Sequence, residues 1–361
     1  MSRAHADTAD TGAGAGATPL ARLYGRFVWS RLAIIGVLVA ALLVSVLFDV
    51  ATGPSPLSVA DIVTGLLDRS ALPRGQGVIL WDLRLPFAAM AVLVGAALGL
   101  AGAEMQTVLN NPLASPFTLG VSAAATLGAS LVIVMDLSVP GIGATYLIPA
   151  GAFVFAVGSV MVIQMLARSF GATTDTVVLF GIAMLFAMNA LLWLVQYVAS
   201  TDALQQMVFW TMGSLGRSTW DKVAVVAVVL GVCLPLSMRK VWAMTALRGG
   251  EDQAKSFGIP VETLRLRVLL RVSILAAAAV AFVGTIGFIG LVGPHIARLA
   301  LGEDHRFYLP GSALAGALLL SLASIASKNL IPGLILPVGI VTALVGIPLF
   351  MTLILTQGRK L

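Results

Sequence analysis

The sequence predicts an all-α polytopic membrane protein of about ten transmembrane helices, one of them short and broken. Three observations carry that prediction. Of 361 residues, 59% are hydrophobic and only 11% are charged, against about 25% charged in a soluble domain. The mean hydropathy is +1.00. Uncharged runs such as Leu85 to Ala103 approach the roughly 20 apolar residues that a helix needs to cross a bilayer. A β-barrel would show short alternating segments instead.

The elements follow in chain order. Residues 1–24 open on MSRAHADTADTGAGAGATPL, small and polar with no apolar periodicity, and are expected to form a disordered cytoplasmic tail. Residues 25–361 form the transmembrane domain. The first apolar run, 32–50, is long for the core of a signal peptide and lacks a convincing cleavage site, so it is kept as a mature helix. Further long apolar segments lie at 85–107, 117–137, 145–167, 176–199, 222–238, 268–287, 308–328 and 336–356. The loop 239–267 carries Arg239, Lys240, Arg248, Lys255, Arg265 and Arg267, which assigns it to the cytoplasm. Counting back six spans then places the N-terminus inside. Counting forward places Arg359 and Lys360 outside unless a short span at 288–301, FIGLVGPHIARLAL, is added. So short a piece is tolerable only when packed among other helices. With it, both termini are cytoplasmic.

Trp210 and Trp220, in the outer loop 200–221, are expected to anchor at the membrane interface. Segments 85–107 and 308–328 share glycine- and alanine-rich stretches, VGAALGLAGA and GSALAGALLL, which suit close helix approach. A weak internal duplication is one reading of that likeness. Cys233 lies within an apolar run and reads as a small core residue.

Few enzyme chemistries find support. The dipeptide Gly-Lys does not occur, so no GxxxxGK[ST] phosphate loop exists in this chain. No HExxH, no GxSxG and no metal-ligand spacing appears. Catalytic, cofactor and metal residues are therefore expected to be none. The net charge of +6 sits largely beside apolar segments and does not point to nucleic acid. Two intramembrane polar residues are functional candidates by their cost in lipid. Glu104 lies near the cytoplasmic end of its span, where Gln106 and Asn110 offer it partners. His295 follows Pro294 and is either a ligand or proton relay, or a helix-start histidine bonded to backbone. A coupling-ion site wants several carboxylates near the midplane, and no such set is present, which argues against an ion-coupled secondary transporter, the other class of carrier considered. The stretch LRGGEDQAKSFGIPVETLRLR, 247–267, reads either as a basic loop or as a compact docking surface. Glu251 and Asp252 suit the start of its short helix.

These residues resemble the ABC importer permeases of the iron-chelate, haem and cobalamin type, the FecCD-like family. The resemblance runs from about Trp81 to Phe350. It rests on LRLP (83–86), VGAALGLAGAEMQTVLNNPLASPFTLGVS (94–122), WTMGSLG (210–216), GGEDQAKSFGI (249–259), GTIGFIGLVGPHIARLALGEDHR (284–306) and LPVGIVTALVGIPLF (336–350). It implies ten spans, with ATPase-coupling helices between spans six and seven at Gly250, Glu251, Ala254, Phe257 and Gly258, where Phe257 replaces the usual leucine. It implies partners too: cytoplasmic ATP-binding subunits, a periplasmic substrate-binding protein and a second permease subunit, all in a bacterial inner membrane. Arg84 and Lys328 match basic residues with which the family docks its binding protein. Phe87 stands where a third basic residue is frequent, Ser324 replaces a usual aspartate, and Ile335 replaces a usual glutamate. Asn111, Pro112, Leu113, Ala114 and Pro116 form the signature loop. The resemblance favours a ferric siderophore as cargo, with haem, cobalamin or molybdate as alternatives.

Overall fold

The structure, a computed structural model, describes residues 19–55, 57–141, 143–171 and 173–358. The expected tail falls mostly outside these residues. The first helix begins at Pro19, a residue suited to the first helical turn because its missing N–H has no helical partner to lose.

Fifteen α-helices follow one another among the described residues. The first, α1, spans Pro19–Ala51, and the short α2 (Val59–Leu67) and α3 (Arg74–Val78) lead into α4 (Leu85–Val108). Then come α5 (Val121–Val134), α6 (Ala144–Ser169), α7 (Thr174–Val198), α8 (Thr201–Thr211) and α9 (Trp220–Met238). Two short helices, α10 (Val241–Leu247) and α11 (Glu251–Ser256), precede α12 (Val261–Val283). The chain closes with α13 (Ile289–Leu301), α14 (His305–Asn329) and α15 (Val338–Gly358).

Seven helices are long and apolar enough to cross a membrane, and α5, α13 and the apolar part of α15 are shorter. Together they supply the ten apolar helices expected. The 13 residues of α13 rise only about 20 Å, less than the hydrocarbon thickness of about 30 Å. It survives because it is packed against α4, α14 and α15. The break before α13 is made by Gly284 (φ +80°) and Phe288 (φ +67°).

α4 is the axis of the bundle. It packs against α9, α12, α13 and α14, and its residues from Val94 to Val108 are all buried. Small residues make that possible. A Cβ on Gly102 would lie 1.8 Å from the Gly290 carbonyl oxygen, and one on Gly99 would lie 2.2 Å from that of Ser312. The two small-residue segments singled out in the sequence are thus the two faces of one contact, α4 on α14. Their likeness follows from packing on each other.

The tryptophans divide. Trp220 is exposed and its indole N–H donates to the Trp81 carbonyl at 2.8 Å. Trp210 is buried in the core, so the expectation of an interfacial anchor fails there: its α8 turn packs beneath the Gly284 break, where a Cβ would meet the Trp210 carbonyl at 2.2 Å. Cys233 is buried, as read.

Gly102→Leu is expected to cost about 3 kcal/mol or more, because the added side chain meets the Gly290 backbone, which cannot yield. Gly158 in α6 has open space around it, and Gly158→Ala should stabilise by about 0.5–1 kcal/mol. Thermal unfolding of the detergent-solubilised chain checks both.

Candidate functional site

Three clusters hold the predicted residues. The first is the end of the bundle bearing α10 and α11. Gly250 (φ +113°) starts α11, and Gly258 (φ +75°) ends it. The Gly258 N–H donates to the Lys255 carbonyl at 2.9 Å and the Ile259 N–H to the Ala254 carbonyl at 3.1 Å. That is a Schellman closure, which requires a left-handed residue and so favours glycine. Ala254 is fully buried. Glu251 accepts from Arg265 and from the Thr174 hydroxyl at 3.2 Å. Arg265 is itself buried on α12, and its Nε donates to the Val108 carbonyl at 3.2 Å. Ala254 therefore faces inward, and the half-exposed Glu251 ties α11 to α12 and α7 through Arg265 and Thr174. The outward face of α11 is Asp252, Gln253, Lys255 and Ser256, followed by Phe257. Phe257 is 54% exposed and stacks obliquely on Trp242, centroids 6.3 Å apart.

The signature loop closes α4 at the same end. Asn110 adopts φ +44°. Its N–H donates to the Thr107 carbonyl at 3.2 Å and that of Asn111 to the Gln106 carbonyl at 3.1 Å. This second Schellman closure shows that backbone N–H groups, rather than asparagine side chains, satisfy the freed carbonyls. The side chains turn elsewhere. The Asn111 Oδ1 accepts from the Leu113 N–H at 2.9 Å, and the Asn110 Oδ1 accepts from Arg248 at 3.3 Å. Ala114 and Pro116 are buried while Leu113 is exposed; Pro112 leads into the turn.

Sequence reasoning missed His305, which joins these pieces. It is fully buried, with Nε2 2.8 Å from the Thr107 Oγ1 and Nδ1 3.2 Å from the Thr245 Oγ1. Thr107 already donates its hydroxyl proton to the Ala103 carbonyl at 2.8 Å, so His305 donates from Nε2 and accepts at Nδ1. The imidazole thus pins α10 to α4. Beside it, Arg298 donates to the Gln106 Oε1 at 3.0 Å and to the Tyr308 hydroxyl at 3.1 Å. Its only signal in the sequence was a histidine at a span boundary.

Within the spans, Glu104 is fully buried and pairs with Arg271. The Arg271 Nε donates to Oε2 at 2.9 Å and to Oε1 at 3.1 Å, and its Nη2 donates to Oε1 as well. Its partner is thus a cation on α12, not Gln106 or Asn110. Such bidentate pairing is what makes a carboxylate tolerable there. His295 lies inside α13, not at a helix start. Its Nε2 is buried without a hydrogen-bond partner among the described residues.

The far end holds Arg84 and Lys328. The Arg84 guanidinium is buried and donates to the carbonyls of Val50 (2.8 Å), Ala51 (2.9 Å) and Ser55. It caps α1, whose last carbonyls have no helical donor. Lys328 donates to the Asp49 Oδ1 at 2.9 Å and to its backbone carbonyl at 2.8 Å, and its ammonium lies 4.3 Å from the centre of the Phe87 ring. The Ser324 hydroxyl donates to the same Asp49 Oδ1 at 2.6 Å. Two departures from the family pattern, Ser324 and Phe87, acquire reasons here. The carboxylate absent at Ser324 is supplied by Asp49 from α1, and Phe87 offers Lys328 a π face. Ile335 lines a small cavity of about 270 Å³ beside Arg84, Phe87 and Lys328. Both cations are engaged inside the fold.

Apart from the predicted residues, four signature segments meet in a groove of about 480 Å³. Phe117 and Ser122 come from the segment after the signature loop, Thr211 and Met212 from WTMG, Thr285 and Gly287 from GTIG, and Gly339 and Ile340 from LPVGIV. Glycine permits the meeting: a Cβ on Gly213 would lie 2.3 Å from the Thr285 carbonyl, and one on Gly339 2.3 Å from that of Met212.

A bundle of apolar helices with short helices at one end and a groove lined by its most distinctive segments is an architecture open to transport, and the family decides the class. The chain belongs to the FecCD transport family, whose sequence profile matches residues 30–356. It is 36% identical over 280 residues to the hemin transport system permease HmuU of Yersinia pestis, covering 77% of this chain and 84% of that protein. It is 33% identical over 288 residues to the vitamin B12 import system permease BtuC of Vibrio vulnificus, covering 79% and 85%. A solved structure described as an inward-facing metal-chelate type ABC transporter superposes with a TM-score of 0.78 at 28% identity, covering 90% of this chain and 99% of that one.

Asp49→Ala strands the Lys328 ammonium, whose side chain is 4% exposed, and is expected to cost about 3–5 kcal/mol. The double change Asp49→Leu with Lys328→Met should recover most of it. Chemical or thermal unfolding in detergent measures the difference.

Proposed function

We propose that this chain is the permease subunit of a bacterial ATP-driven importer that moves a ferric siderophore from a periplasmic binding protein to the cytoplasm. The groove formed by four signature segments carries this reading. Its walls are apolar side chains and hydroxyls, Phe117, Met212 and Ile340 beside Ser122, Thr211 and Thr285. Such a surface can pass a bulky chelate whose metal is already wrapped, and leaves affinity to the binding protein. Haem and cobalamin are the favoured second readings, because relatives of both kinds match over three quarters of the chain.

ATP hydrolysis falls to separate subunits that engage the α10–α11 end from the cytoplasm, and a second permease subunit completes the pathway. Contact with the ATPase is made by the outward face of α11 and by Phe257. Glu251 and Ala254 carry the resulting push into α12, α7 and α4 as a rigid body. At the far end, Arg84 and Lys328 hold the shape of the surface on which the binding protein docks.

Uptake by vesicles holding the permease, ATPase and binding protein should require ATP and survive collapse of ion gradients. Transport without ATPase subunits would replace this reading with an ion-coupled carrier, and transport of haem or cobalamin alone would replace the cargo. Phe257→Asp should weaken ATPase binding by about 2 kcal/mol, roughly thirtyfold, with thermal stability unchanged. Glu251→Gln should lower stability first. Pull-down titration and unfolding separate the two.

A further inference from the structure

A second cavity among the described residues is larger than the groove of the signature segments. It is a cleft of about 970 Å³ between α9 and α12, roofed by α10 and the residues after α11. Its walls are apolar, including Val232, Leu236, Leu264 and Val268. Three cations, Arg239, Lys240 and Arg267, stand on its rim. All three side chains are exposed, and none makes an ion pair or side-chain hydrogen bond among the described residues. No aspartate or glutamate lines the cleft. The remaining cation on its wall, Arg271, is neutralised by Glu104.

We propose that this cleft binds an anionic phospholipid of the surrounding bilayer, with the phosphate held by Arg239, Lys240 and Arg267 and an acyl chain lying between α9 and α12. The dimensions agree. From Val228 to Arg239, both lining residues, α9 rises about 16 Å, close to the roughly 15 Å depth of one leaflet's hydrocarbon. The order of the lining agrees as well: apolar along the spans, then cations where α9 ends. Trp242, exposed and lining the mouth, marks the depth at which aromatic side chains meet headgroups. Unpaired basic residues beside an apolar cleft at a membrane edge attract anionic headgroups rather than neutral ones. The lipid would bridge α9 and α12 directly beneath α10 and α11, so that its loss loosens the base on which those helices stand. This inference concerns the lipid-facing side and stands whatever cargo the groove carries.

Native mass spectrometry of the full chain, purified in detergent and titrated with phosphatidylglycerol or phosphatidylcholine, tests it. The wild-type chain should retain phosphatidylglycerol in preference to phosphatidylcholine. The triple change Arg239→Ala, Lys240→Ala, Arg267→Ala should weaken phosphatidylglycerol binding roughly a hundredfold, since each basic residue near the surface contributes a factor of about five. Val232→Trp fills the cleft without touching the charges. It should weaken phosphatidylglycerol binding too, which keeps the test decisive if the triple variant folds poorly. Equal retention of the two lipids, or unchanged phosphatidylglycerol binding in Val232→Trp, overturns the proposal. So does release of the lipid on adding the ATPase subunit, which would make the cleft a protein interface.

Discussion

A helix buried on every side of a membrane bundle can keep neither bulk nor charge unaccounted for, and α4 is such a helix. Its neighbours approach until backbone meets backbone at Gly99 and Gly102. Its one carboxylate, Glu104, is matched by Arg271 across the bundle. The remaining architecture is arranged around that axis. α14 and α13 lie against its small-residue face, α12 brings the compensating cation, and at its C-terminal end Arg265 from α12 donates to the Val108 carbonyl.

The two ends meet the same problem in different ways. At the α10–α11 end, α4 stops in a Schellman closure at Asn110, and His305 ties Thr107 to Thr245 on α10. The imidazole of His305 thus links α10 to the last turn of α4. At the far end, Arg84 closes α1, and Asp49 gathers Lys328 and Ser324. Buried polar groups of this kind are costly when one partner is lost, so each acts as a joint that holds three helices in one register.

Much of the site was legible in the sequence, although several roles were not. The coupling loop stands out through Gly250, Gly258 and the acidic helix start, and the structure gives each a local reason. Ala254 and Glu251 carry the motif most visibly, yet Ala254 is turned inward and Glu251 is held by Arg265. The residues left facing outward, with Phe257 foremost, are less distinctive. Arg84 and Lys328 are assigned to docking by their match to basic residues of the family, and the structure adds that both are engaged within the fold. A sequence does not reveal that α1 ends within reach of both. Asp49 attracted no notice, since its role depends on residues far along the chain.

The sequence by itself determined the helical membrane class, the number of apolar helices, the need for a short packed span and the basic character of the α10–α11 end. These follow from local hydrophobicity, charge and helix-breaking residues, which act on the chain where they stand. Only the tertiary structure decided which small-residue segments pack together, which carboxylate meets which cation, and which face of α11 is outward. Those outcomes depend on contacts between distant residues, and in a bilayer, where no water can satisfy a stranded polar group, they are set by whichever partner the fold brings within reach.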